Sequence, residues 1–528
     1  MSRPRLFRFF PAAGILLVAT LAGCSSLPPL PEWPASTALS GTADTGLGTL
    51  AAASLVQAGP GESGFRLLPT GDFAFDARLA LARRAERSLD AQYYHLANDS
   101  IGLQFLRELR DAARRGVRVR LLVDDLYTGS EDELFCSFAA IPNVEVRLFN
   151  PLPSRGGSVL GRIVASAHEF SRINLRMHNK LFIADNRFSV SGGRNMADEY
   201  FMRSTEANFV DMDVISAGPI VRELSQVFDR YWNSALAYPI VPVIQALAPS
   251  IAAAANAQRF DQLVLAAPPE FLPATTDPLG RASVDFEFTA GRIAMEFAVA
   301  AVLADTPNKG ALHNPGDTLS TVNRSVLEEL ASAKSELLIA SPYFIPGKVG
   351  MERLREVTDR KVHIRVVTNG IGATDEPLVH WRYARYRLKM LKLGIELYEV
   401  SPTLARDVSV LGSWGLTFRR LHAKVTVFDN QRLFVGSMNF DPRSAWSNTE
   451  SGLLIESPAM AHQVINLIAD HNHAGVYRLR LAADGETIEW WSRGPDGKLR
   501  FTTEEPDNTW TLQMQQILLE PLVAEELL

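Results

Sequence analysis

The chain has 528 residues, more than one hydrophobic core usually spans, so we expect two domains or two fused lobes. Its composition, 47% apolar and 21% charged, is that of a folded globular protein. The formal net charge of −6 argues against a dedicated nucleic-acid binder.

The N-terminus has the features of a secretion signal. Residues 1–10 contain three arginines and no acid, and an apolar run too short to span a bilayer comfortably follows at 12–22. Leu-Ala-Gly at 21–23, directly before Cys24, resembles a bacterial lipobox. We therefore expect a lipid-modified Cys24 and an envelope lipoprotein that faces the periplasm, on either the outer or the inner membrane. The alternatives are an ordinary signal peptide cut elsewhere and a short signal anchor.

The segment that follows the signal differs from the folded body. Residues 25–64 are rich in Pro, Ser, Gly, Ala and Thr and almost uncharged, which is typical of a flexible tether. Folded structure is expected from about Phe65. Apolar periodicity then predicts helices at 72–89, 101–115 and 219–233, and strands at 90–96, 117–123, 144–149, 181–184 and 208–215. Strands that alternate with helices indicate an α/β layer.

The same order of elements returns later in the chain. After an Ala- and Pro-rich stretch, the pattern predicts helices at 318–335, 350–359 and 378–393, and strands at 337–341, 362–368 and 395–398. SLDAQYYHL, from residue 88, aligns with LLIASPYFI, from residue 337, which indicates a duplicated domain. The aromatic residues at the ends of these two strands are either core or walls of a cleft; they are Tyr93, Tyr94, Tyr343 and Phe344.

The last part of the chain departs from the repeat. We predict a helix at 457–470, a hairpin at 487–503 and a final helix at 510–528. We interpret the final helix as one that closes the core, because its polar face carries acids and no Lys or Arg. A segment that lies on a membrane surface is the alternative.

These patterns divide the chain into six parts. The predicted parts are a signal peptide at 1–23, a tether at 24–64, a first lobe at 65–240, a connector at 241–317, a second lobe at 318–460 and a C-terminal helix, hairpin and helix at 461–528.

One polar motif occurs twice, once in each half of the chain. The candidate catalytic residues are the members of its two H-x-K-x4-D copies: His178, Lys180, Asp185, His422, Lys424 and Asp429. Each copy has Gly and Asn at the same later offsets, and such a double match arises by chance only very rarely.

Phosphodiester chemistry suits this set. On a strand, the His and Lys of one motif point to the same face, and two halves packed about a pseudo-twofold axis bring both pairs together. One neutral imidazole can attack phosphorus and form a phosphohistidine. The other, when protonated, can give a proton to the leaving alkoxide and later take one from the incoming alcohol or water. The lysines can hold the non-bridging oxygens, so no metal or other cofactor is expected.

Further residues are expected to support the histidines. Each imidazole needs a partner on its other nitrogen, and aligning DVISAGP with GLLIESP makes Asp211 and Glu450 the equivalent candidates. We predict that Asn195, Asn439 and Ser437 line the phosphate pocket.

The aspartates of the two motifs have a different expected role. Asp185 and Asp429 fall at the strand ends, an odd number of residues from the histidines. We expect them to hold the following turn or a backbone group rather than the substrate.

On these residues, the chain resembles the phospholipase D superfamily from about residue 65 to its C-terminus. GGRNMADEYF, FDRYWNS and GSMNFDPRS resemble the bacterial cardiolipin synthase branch, notably its C-type members. The resemblance implies two pseudo-symmetric mixed α/β lobes with the active site in the cleft between them. It also implies a ping-pong reaction in which His178 is the nucleophile and His422 the general acid and base. One departure is visible, because the family's G-S-x-N is intact at 436–439 but reads G-G-R-N at 192–195.

The leading functional hypothesis is a phosphatidyltransferase. It would make cardiolipin from phosphatidylglycerol and a second phospholipid, with phosphatidylethanolamine as another candidate substrate. The expected partners are these lipids and the membrane, with no nucleic acid. The alternatives are a hydrolytic phospholipase D that releases phosphatidic acid, a nucleic-acid phosphodiesterase, and a non-catalytic protein that holds lipid.

Overall fold

The computed structural model describes residues 27–29, 33–265, 273–309, 321–405, 418–469, 475–494 and 496–520. They form two lobes, each built on one large β-sheet with connecting helices. The predicted α/β class is therefore confirmed. The predicted signal peptide, including the lipidation site Cys24, lies outside the described residues.

The first lobe is organised around a nine-stranded sheet. The strands of this half are β1 (Ser63–Leu68), β2 (Ser88–Tyr93), β3 (Arg118–Asp124), β4 (Val144–Phe149), β5 (Arg176–Met177), β6 (Leu181–Ala184), β7 (Phe188–Gly192), β8 (Ala207–Val210), β9 (Asp213–Ala217), β10 (Ala237–Pro239) and β11 (Glu296–Ala298). The order across the sheet is β10-β4-β3-β2-β6-β7-β9-β1-β11. Strands β2, β3 and β4 are parallel, and their other neighbours are antiparallel.

Helices connect the strands of the first half. They are α1 (Gly46–Ser54), α2 (Gly71–Arg84), α3 (Ser100–Arg114), α4 (Asp132–Ala139), α5 (Val159–Ala165), α6 (Phe170–Ile173), α7 (Pro219–Trp232), α8 (Ile240–Leu247), α9 (Pro249–Ala254), α10 (Ala257–Val264) and α11 (Val284–Thr289). Local sequence sets the helix ends. The Asp99 carboxylate accepts from the N–H of Gly102 at 2.9 Å and caps α3, and Gly116, with a φ of 96°, ends it.

The second lobe contains a ten-stranded sheet. Its half of the chain has the strands β12 (Ala300–Ala304), β13 (Glu336–Ala340), β14 (His363–Asn369), β15 (Glu396–Val400), β16 (Phe418–Leu421), β17 (Val425–Phe428), β18 (Arg432–Gly436), β19 (Asn448–Thr449), β20 (Ser451–Ile455), β21 (Val476–Leu481), β22 (Ile488–Arg493) and β23 (Leu499–Thr502). The helices are α12 (Thr321–Ser332), α13 (Gly347–Asp359), α14 (Pro377–Lys392), α15 (Pro402–Ala405), α16 (Pro458–Ala469) and α17 (Trp510–Leu519).

The two sheets repeat one internal order. The run β4-β3-β2-β6-β7-β9-β1 in the first lobe matches β15-β14-β13-β17-β18-β20-β12 in the second, including the parallel trio at one end. An antiparallel strand, β10 or β21, flanks each trio. The duplication expected from the sequence is thus visible in the strand order.

Two short two-stranded sheets join the halves. Strand β5, just before the first motif, pairs in parallel with β19, and β16, just before the second motif, pairs in parallel with β8. Each motif is therefore tied to a strand of the other half. One apolar core also spans both lobes, because residues of α7 and α16 pack together with β6 and β17.

The predicted tether is wrong for the part that the structure describes from residue 33 onward. Helix α1 buries Leu47 and Ala51 against the first lobe, and the carbonyl of Ser36 accepts from Arg120 Nη1 at 2.8 Å. The small residues that resemble a linker in composition have helical spacing here, and that spacing is what allows them to pack.

The predicted connector also belongs to the folded lobes. Strand β11 pairs with β1 at one edge of the first sheet, and β12, only one residue later, pairs with β20 in the second. Strands this short in an Ala-rich sequence show no clear alternation of apolar and polar residues, so the sequence does not predict them. Their pairing depends on strands that are distant in sequence. At the other end of the lobe, β21, β22 and β23 extend the second sheet, so the C-terminal part is continuous with it.

The final helix does not close the core. None of the residues of α17 is buried, so our interpretation of this helix was wrong, and residues 521–528 lie outside the described part of the chain. Among the helices that the structure describes, none combines the length and apolar character needed to cross a membrane.

Candidate active site

Both motifs lie at the same kind of position in their sheets. His178 and Lys180 occupy the short stretch between β5 and β6, and His422 and Lys424 the stretch between β16 and β17, rather than a continuous strand. Strand β6 begins beside the carboxyl end of β2, and β17 beside that of β13. The polar groups therefore collect at the sheet edges where the parallel strands end.

The central feature of the site is a pair of crossed hydrogen bonds. Nδ1 of His178 donates to Oε2 of Glu450 at 3.0 Å, and Nδ1 of His422 donates to Oδ2 of Asp211 at 2.5 Å. Both bonds run between opposite halves, because β5 pairs with β19 and β8 with β16. The structure thus brings the two predicted orienting carboxylates to the two histidines, and leaves each Nε2 as the reactive nitrogen.

The two lysines contact their own histidines differently. Lys180 Nζ donates to the carbonyl of His178 at 2.7 Å and lies 5.3 Å from the ring centroid of Tyr94. Lys424 Nζ donates to the carbonyl of His422 at 2.6 Å and lies 2.9 Å from both ring nitrogens. The ammonium of Lys424 therefore already engages the imidazole, whereas that of Lys180 does not.

Burial and crowded positive charge control the protonation states. Burial and the Lys180 ammonium lower the pKa of His178 to about 4, and burial and Lys424 lower the pKa of His422 to about 4. Burial lowers the pKa of Lys424 to about 8, although Asp211 and Glu450 act in the opposite direction. Both imidazoles are therefore neutral near pH 7.

The carboxylates remain charged despite their burial. Burial by itself favours the neutral acid, but contact with His178 and the charge of Lys180 hold the pKa of Glu450 below its ordinary value. His422 and Lys424 do the same for the pKa of Asp211. Burial lowers the pKa of Lys180 well below its ordinary value, although the charge of Glu450 acts in the opposite direction. A bound phosphodiester anion would raise the pKa of the histidines by adding negative charge.

Glu450 is held by a dense set of donors. Its Oε2 accepts from the hydroxyl of Ser437 at 2.5 Å, and its Oε1 from that of Ser444 at 2.8 Å. Its backbone N–H donates to Oδ2 of Asp305 at 3.0 Å, and Lys309 Nζ donates to the same oxygen at 2.9 Å. The carboxylate that orients His178 therefore cannot rotate without breaking several buried bonds.

Asp211 has a different environment. Its Oδ1 accepts from the N–H of Met212 at 2.7 Å, and its carbonyl accepts from Nη2 of the buried Arg194 at 2.5 Å. A Cβ added to Gly193 would lie 2.2 Å from Oδ1 of Asp211. The serine of the second motif is absent from the first because the Asp211 carboxylate fills its space.

The three residues predicted to line the phosphate pocket have different positions. The hydroxyl of Ser437 donates to Glu450, and its place in the phosphate pocket stays a prediction. The amide of Asn195 is also engaged, since Nδ2 donates to the hydroxyl of Tyr200 at 2.9 Å and Oδ1 accepts from the N–H of His95 at 3.3 Å. Asn439 keeps a buried Oδ1 without a partner among the described residues, so its side chain is available to a ligand.

The motif aspartates lie away from the reacting groups. The Asp185 carboxylate accepts a hydrogen bond from the backbone N–H of Arg87, just before β2, at 2.7 Å. The Asp429 carboxylate accepts one from the backbone N–H of Ser335, just before β13, at 2.7 Å. Both have positive φ, 50° and 52°, at the turn after the motif strand. They hold a turn against backbone groups, as the odd spacing predicts, and are wrong as members of a catalytic set.

Aromatic rings form the walls around the histidines. Tyr94 packs edge-on against His178 with 5.0 Å between ring centroids, and Tyr200 packs against His422 at the same distance. Tyr93 and Phe344 lie in the core instead. Of the aromatic residues at the strand ends, Tyr94 is therefore a wall of the site, whereas Tyr93 and Phe344 are core residues.

Sequence reasoning missed Asp305, Lys309 and Ser444. Lys309 is buried and donates to Asp305 and to the carbonyls of Ser444 and Asn448, at 2.9, 2.7 and 2.6 Å. Asp305 and Lys309 belong to the predicted connector and have no local motif. Only the pairing of β12 with β20 brings them behind Glu450.

Known proteins share this sequence pattern and fold. The family described as "Cardiolipin synthase, PLD-like domain" matches residues 79–232 and 326–471. Cardiolipin synthase C of Escherichia coli is 34% identical over 465 residues, which cover 87% of this chain and 95% of the relative. Cardiolipin synthase A of Pseudomonas fluorescens is 24% identical over 404 residues, covering 76% and 67% of the two chains. The crystal structure of phosphatidylserine synthase of Haemophilus influenzae has the same fold, with a TM-score of 0.54 at 13% identity over 88% of this chain and 95% of that one.

Gly193 offers a test of the Asp211–His422 bond. We expect Gly193→Ala to lower kcat for phosphodiester turnover by about 100-fold, because the new methyl group displaces the carboxylate that orients His422. Gly41→Ala is the matched control, since no atom lies within 4 Å of the added carbon. Wild-type kcat in a folded Gly193→Ala protein would contradict the role of this bond.

The pKa of Lys424 predicts the alkaline limb of the pH profile. Lys424 is charged below about pH 8 and loses its charge above it, so kcat/KM should fall as the pH rises through about 8. Lys424→Arg should move this limb to higher pH, because a guanidinium stays protonated to about pH 12. Lys389→Arg, at an exposed position, should leave the profile unchanged. A limb that stays at the same pH in Lys424→Arg would assign it to another group.

Proposed function

Because the chain belongs to the cardiolipin synthase family of phospholipase D-like proteins, we propose that it transfers a phosphatidyl group from one phospholipid to another and so makes cardiolipin. The chain is a phospholipase D-type phosphatidyltransferase. The acceptor that we propose is phosphatidylglycerol, and the donor is a second phosphatidylglycerol or phosphatidylethanolamine. The observation that carries the proposal is the crossed arrangement of two neutral histidines, each oriented by a carboxylate of the other half.

The proposed reaction has two displacements at phosphorus. In the first, Nε2 of His178 attacks the donor phosphorus, a P–N bond forms, and the P–O bond to the headgroup alcohol breaks. Phosphodiester binding raises the pKa of His422, so its Nε2 takes up a proton from solvent before the attack and then gives that proton to the leaving alkoxide. In the second, His422 removes the proton from a hydroxyl of phosphatidylglycerol, whose oxygen attacks phosphorus while the P–N bond breaks. The number of phosphodiester bonds does not change, so no activated donor is required.

The contacts of the two imidazoles support this division of roles. Among the described residues, none forms a hydrogen bond with Nε2 of His178, whereas Lys424 Nζ lies 2.9 Å from Nε2 of His422. A nucleophile needs a free lone pair, which favours His178. A bound phosphodiester draws the lysine ammoniums toward its non-bridging oxygens and raises the pKa of His422, which prepares that residue to act as the acid.

The experiment supplies purified, detergent-solubilised protein with phosphatidylglycerol, with and without phosphatidylethanolamine, and identifies products by mass spectrometry. We expect cardiolipin together with glycerol or ethanolamine. Phosphatidic acid as the sole product would replace the proposal with a hydrolytic phospholipase D. DNA cleavage without lipid turnover would overturn both.

A trapping experiment tests the roles of the histidines. After a rapid alkaline quench with labelled donor, the phosphorylated peptide should contain His178. His422→Ala should still form it when the donor has a good leaving group, and His178→Ala should not. Label on a peptide containing His422 would reverse the assignment.

We also propose that Cys24 carries a lipid anchor and that the enzyme faces the periplasm. The basic start, the short apolar run and Leu-Ala-Gly before Cys24 support this placement. Metabolic labelling with palmitate should mark the wild-type protein and not Cys24→Ala. Equal labelling of the two proteins would overturn the anchor.

A further inference from the structure

The final helix presents its apolar side chains to solvent. Trp510, Ile517 and Leu518 of α17 are 73%, 68% and 63% exposed. The half-buried residues of this helix are Leu512 and Gln516. No residue between Trp510 and Leu519 is charged. A helix that packs its apolar face against a core has the opposite distribution of exposed and buried side chains.

Side-chain bonds fix the helix in this orientation. The Glu520 carbonyl, at its C-terminal end, accepts from Arg382 Nη2 at 2.8 Å, and the Glu520 carboxylate accepts from Arg385 Nε at 2.9 Å. Gln516 Nε2 donates to the same carboxylate at 3.0 Å. The exposed apolar face therefore belongs to an element that is attached to α14.

The segment before α17 is attached to the second lobe at the edge of the sheet where the parallel strands end and the His422 motif lies. We call this edge, and its equivalent beside His178 in the first lobe, the catalytic edge. Asp507 accepts from the hydroxyl of Ser401, after β15, at 2.8 Å, and the Glu505 carboxylate contacts Nε2 of His380 at 2.8 Å. His380 Nδ1 lies 3.2 Å from the carbonyl of Asn369, whose amide donates to the carbonyl of Leu421 at 2.9 Å. Leu421 directly precedes His422, so α17 begins at the edge of the sheet that carries this histidine.

A basic stripe accompanies the apolar face. Helix α14, against which α17 packs, contains five Arg or Lys residues and no acid. Of these, Arg385, Lys389 and Lys392 are exposed, at the spacing of successive helical turns. Arg385 is ion-paired with Glu520 and Lys392 with Glu486, whereas Lys389 has no carboxylate partner among the described residues. An uncharged apolar helix beside these exposed cations complements an anionic phospholipid surface.

The first lobe has an apolar element at the equivalent edge. Leu160 and Val164 of α5 are 71% and 66% exposed. Between them, the buried Arg162 donates through Nη2 to Oδ2 of Asp125 at 2.7 Å and fixes the helix above the end of β3. Asp124, the last residue of β3, accepts at 2.8 Å from the N–H of Met177, which precedes His178.

We propose that α17, α5 and the basic stripe of α14 form a surface that docks on an anionic phospholipid bilayer and turns the catalytic edge of both lobes toward the lipid. This inference rests on the proposed function, because lipid substrates lie in such a bilayer. Tryptophan and exposed aliphatic side chains enter the interface, and the cations meet the phosphate headgroups. Docking brings the site to its substrates independently of a lipid anchor.

Vesicle flotation tests the surface directly. The full chain with Cys24→Ala, so that no anchor contributes, is mixed with vesicles of phosphatidylcholine alone or of equimolar phosphatidylglycerol and phosphatidylcholine. We expect binding to the anionic vesicles that weakens with salt. Adding Trp510→Ser, Ile517→Ser and Leu518→Ser together should raise the Kd at least about tenfold. Leu160→Ser with Val164→Ser should also raise it, whereas Gln515→Ser, an exposed polar control, should not.

Charge and turnover provide separate readouts. Lys389→Glu with Lys392→Glu should weaken binding to anionic vesicles and leave binding to neutral ones unchanged. On vesicles, turnover by the apolar variants should fall, while kcat on a soluble short-chain phosphatidylglycerol should remain at the wild-type value. Failure to make cardiolipin with intact docking would sink the proposed function and leave this inference standing.

Two results would overturn the docking surface. One is vesicle binding by the apolar variants equal to that of their parent, with thermal unfolding also unchanged. The other is a parent that is dimeric by light scattering, apolar variants that are monomeric, and equal lipid binding by both. That second result would identify the face as a contact between two copies of the chain.

Discussion

The two crossed histidine–carboxylate bonds are the constraint on which the rest of the site depends. Four ionisable side chains are buried together, and burial would neutralise isolated carboxylates. Asp211 orients His422, and Glu450 orients His178. Neither half of the chain therefore contains both a histidine and the carboxylate that orients it. The short exchanged sheets and the shared apolar core keep both halves in register, which turns a duplicated domain into a single catalytic unit.

The two halves are related but not equivalent. In the second motif a serine hydroxyl binds Glu450, whereas in the first, Asp211 takes the space of the missing side chain at Gly193. Glu450 is further supported by Asp305 and Lys309 from the segment that follows β12. In the part of the chain that the structure describes, no residue forms a hydrogen bond with Nε2 of His178, the histidine that this network supports. Unequal support of the two imidazoles is what a reaction with one nucleophile and one proton carrier requires.

The motif residues and the exposed apolar helices lie at the same edge of each sheet. In both lobes, the parallel strands end where the motif segments begin, so the histidines, lysines and aromatic walls share one edge. The apolar elements α5 and α17 are attached to residues at that same edge. The proposed reaction between two lipids needs its site beside the membrane surface, and this topology leaves exposed apolar side chains near that edge on each lobe.

By itself, the sequence determined the α/β class, the duplication, the two motifs and the carboxylates Asp211 and Glu450, because each depends on local periodicity or internal alignment. It could not show that the carboxylates are exchanged between halves, since strand pairing over hundreds of residues leaves no local pattern. Only the tertiary structure placed Lys309 behind Glu450 and turned the apolar face of α17 outward. Both outcomes depend on which distant surfaces meet, and a hydrophobic pattern alone does not specify its partner.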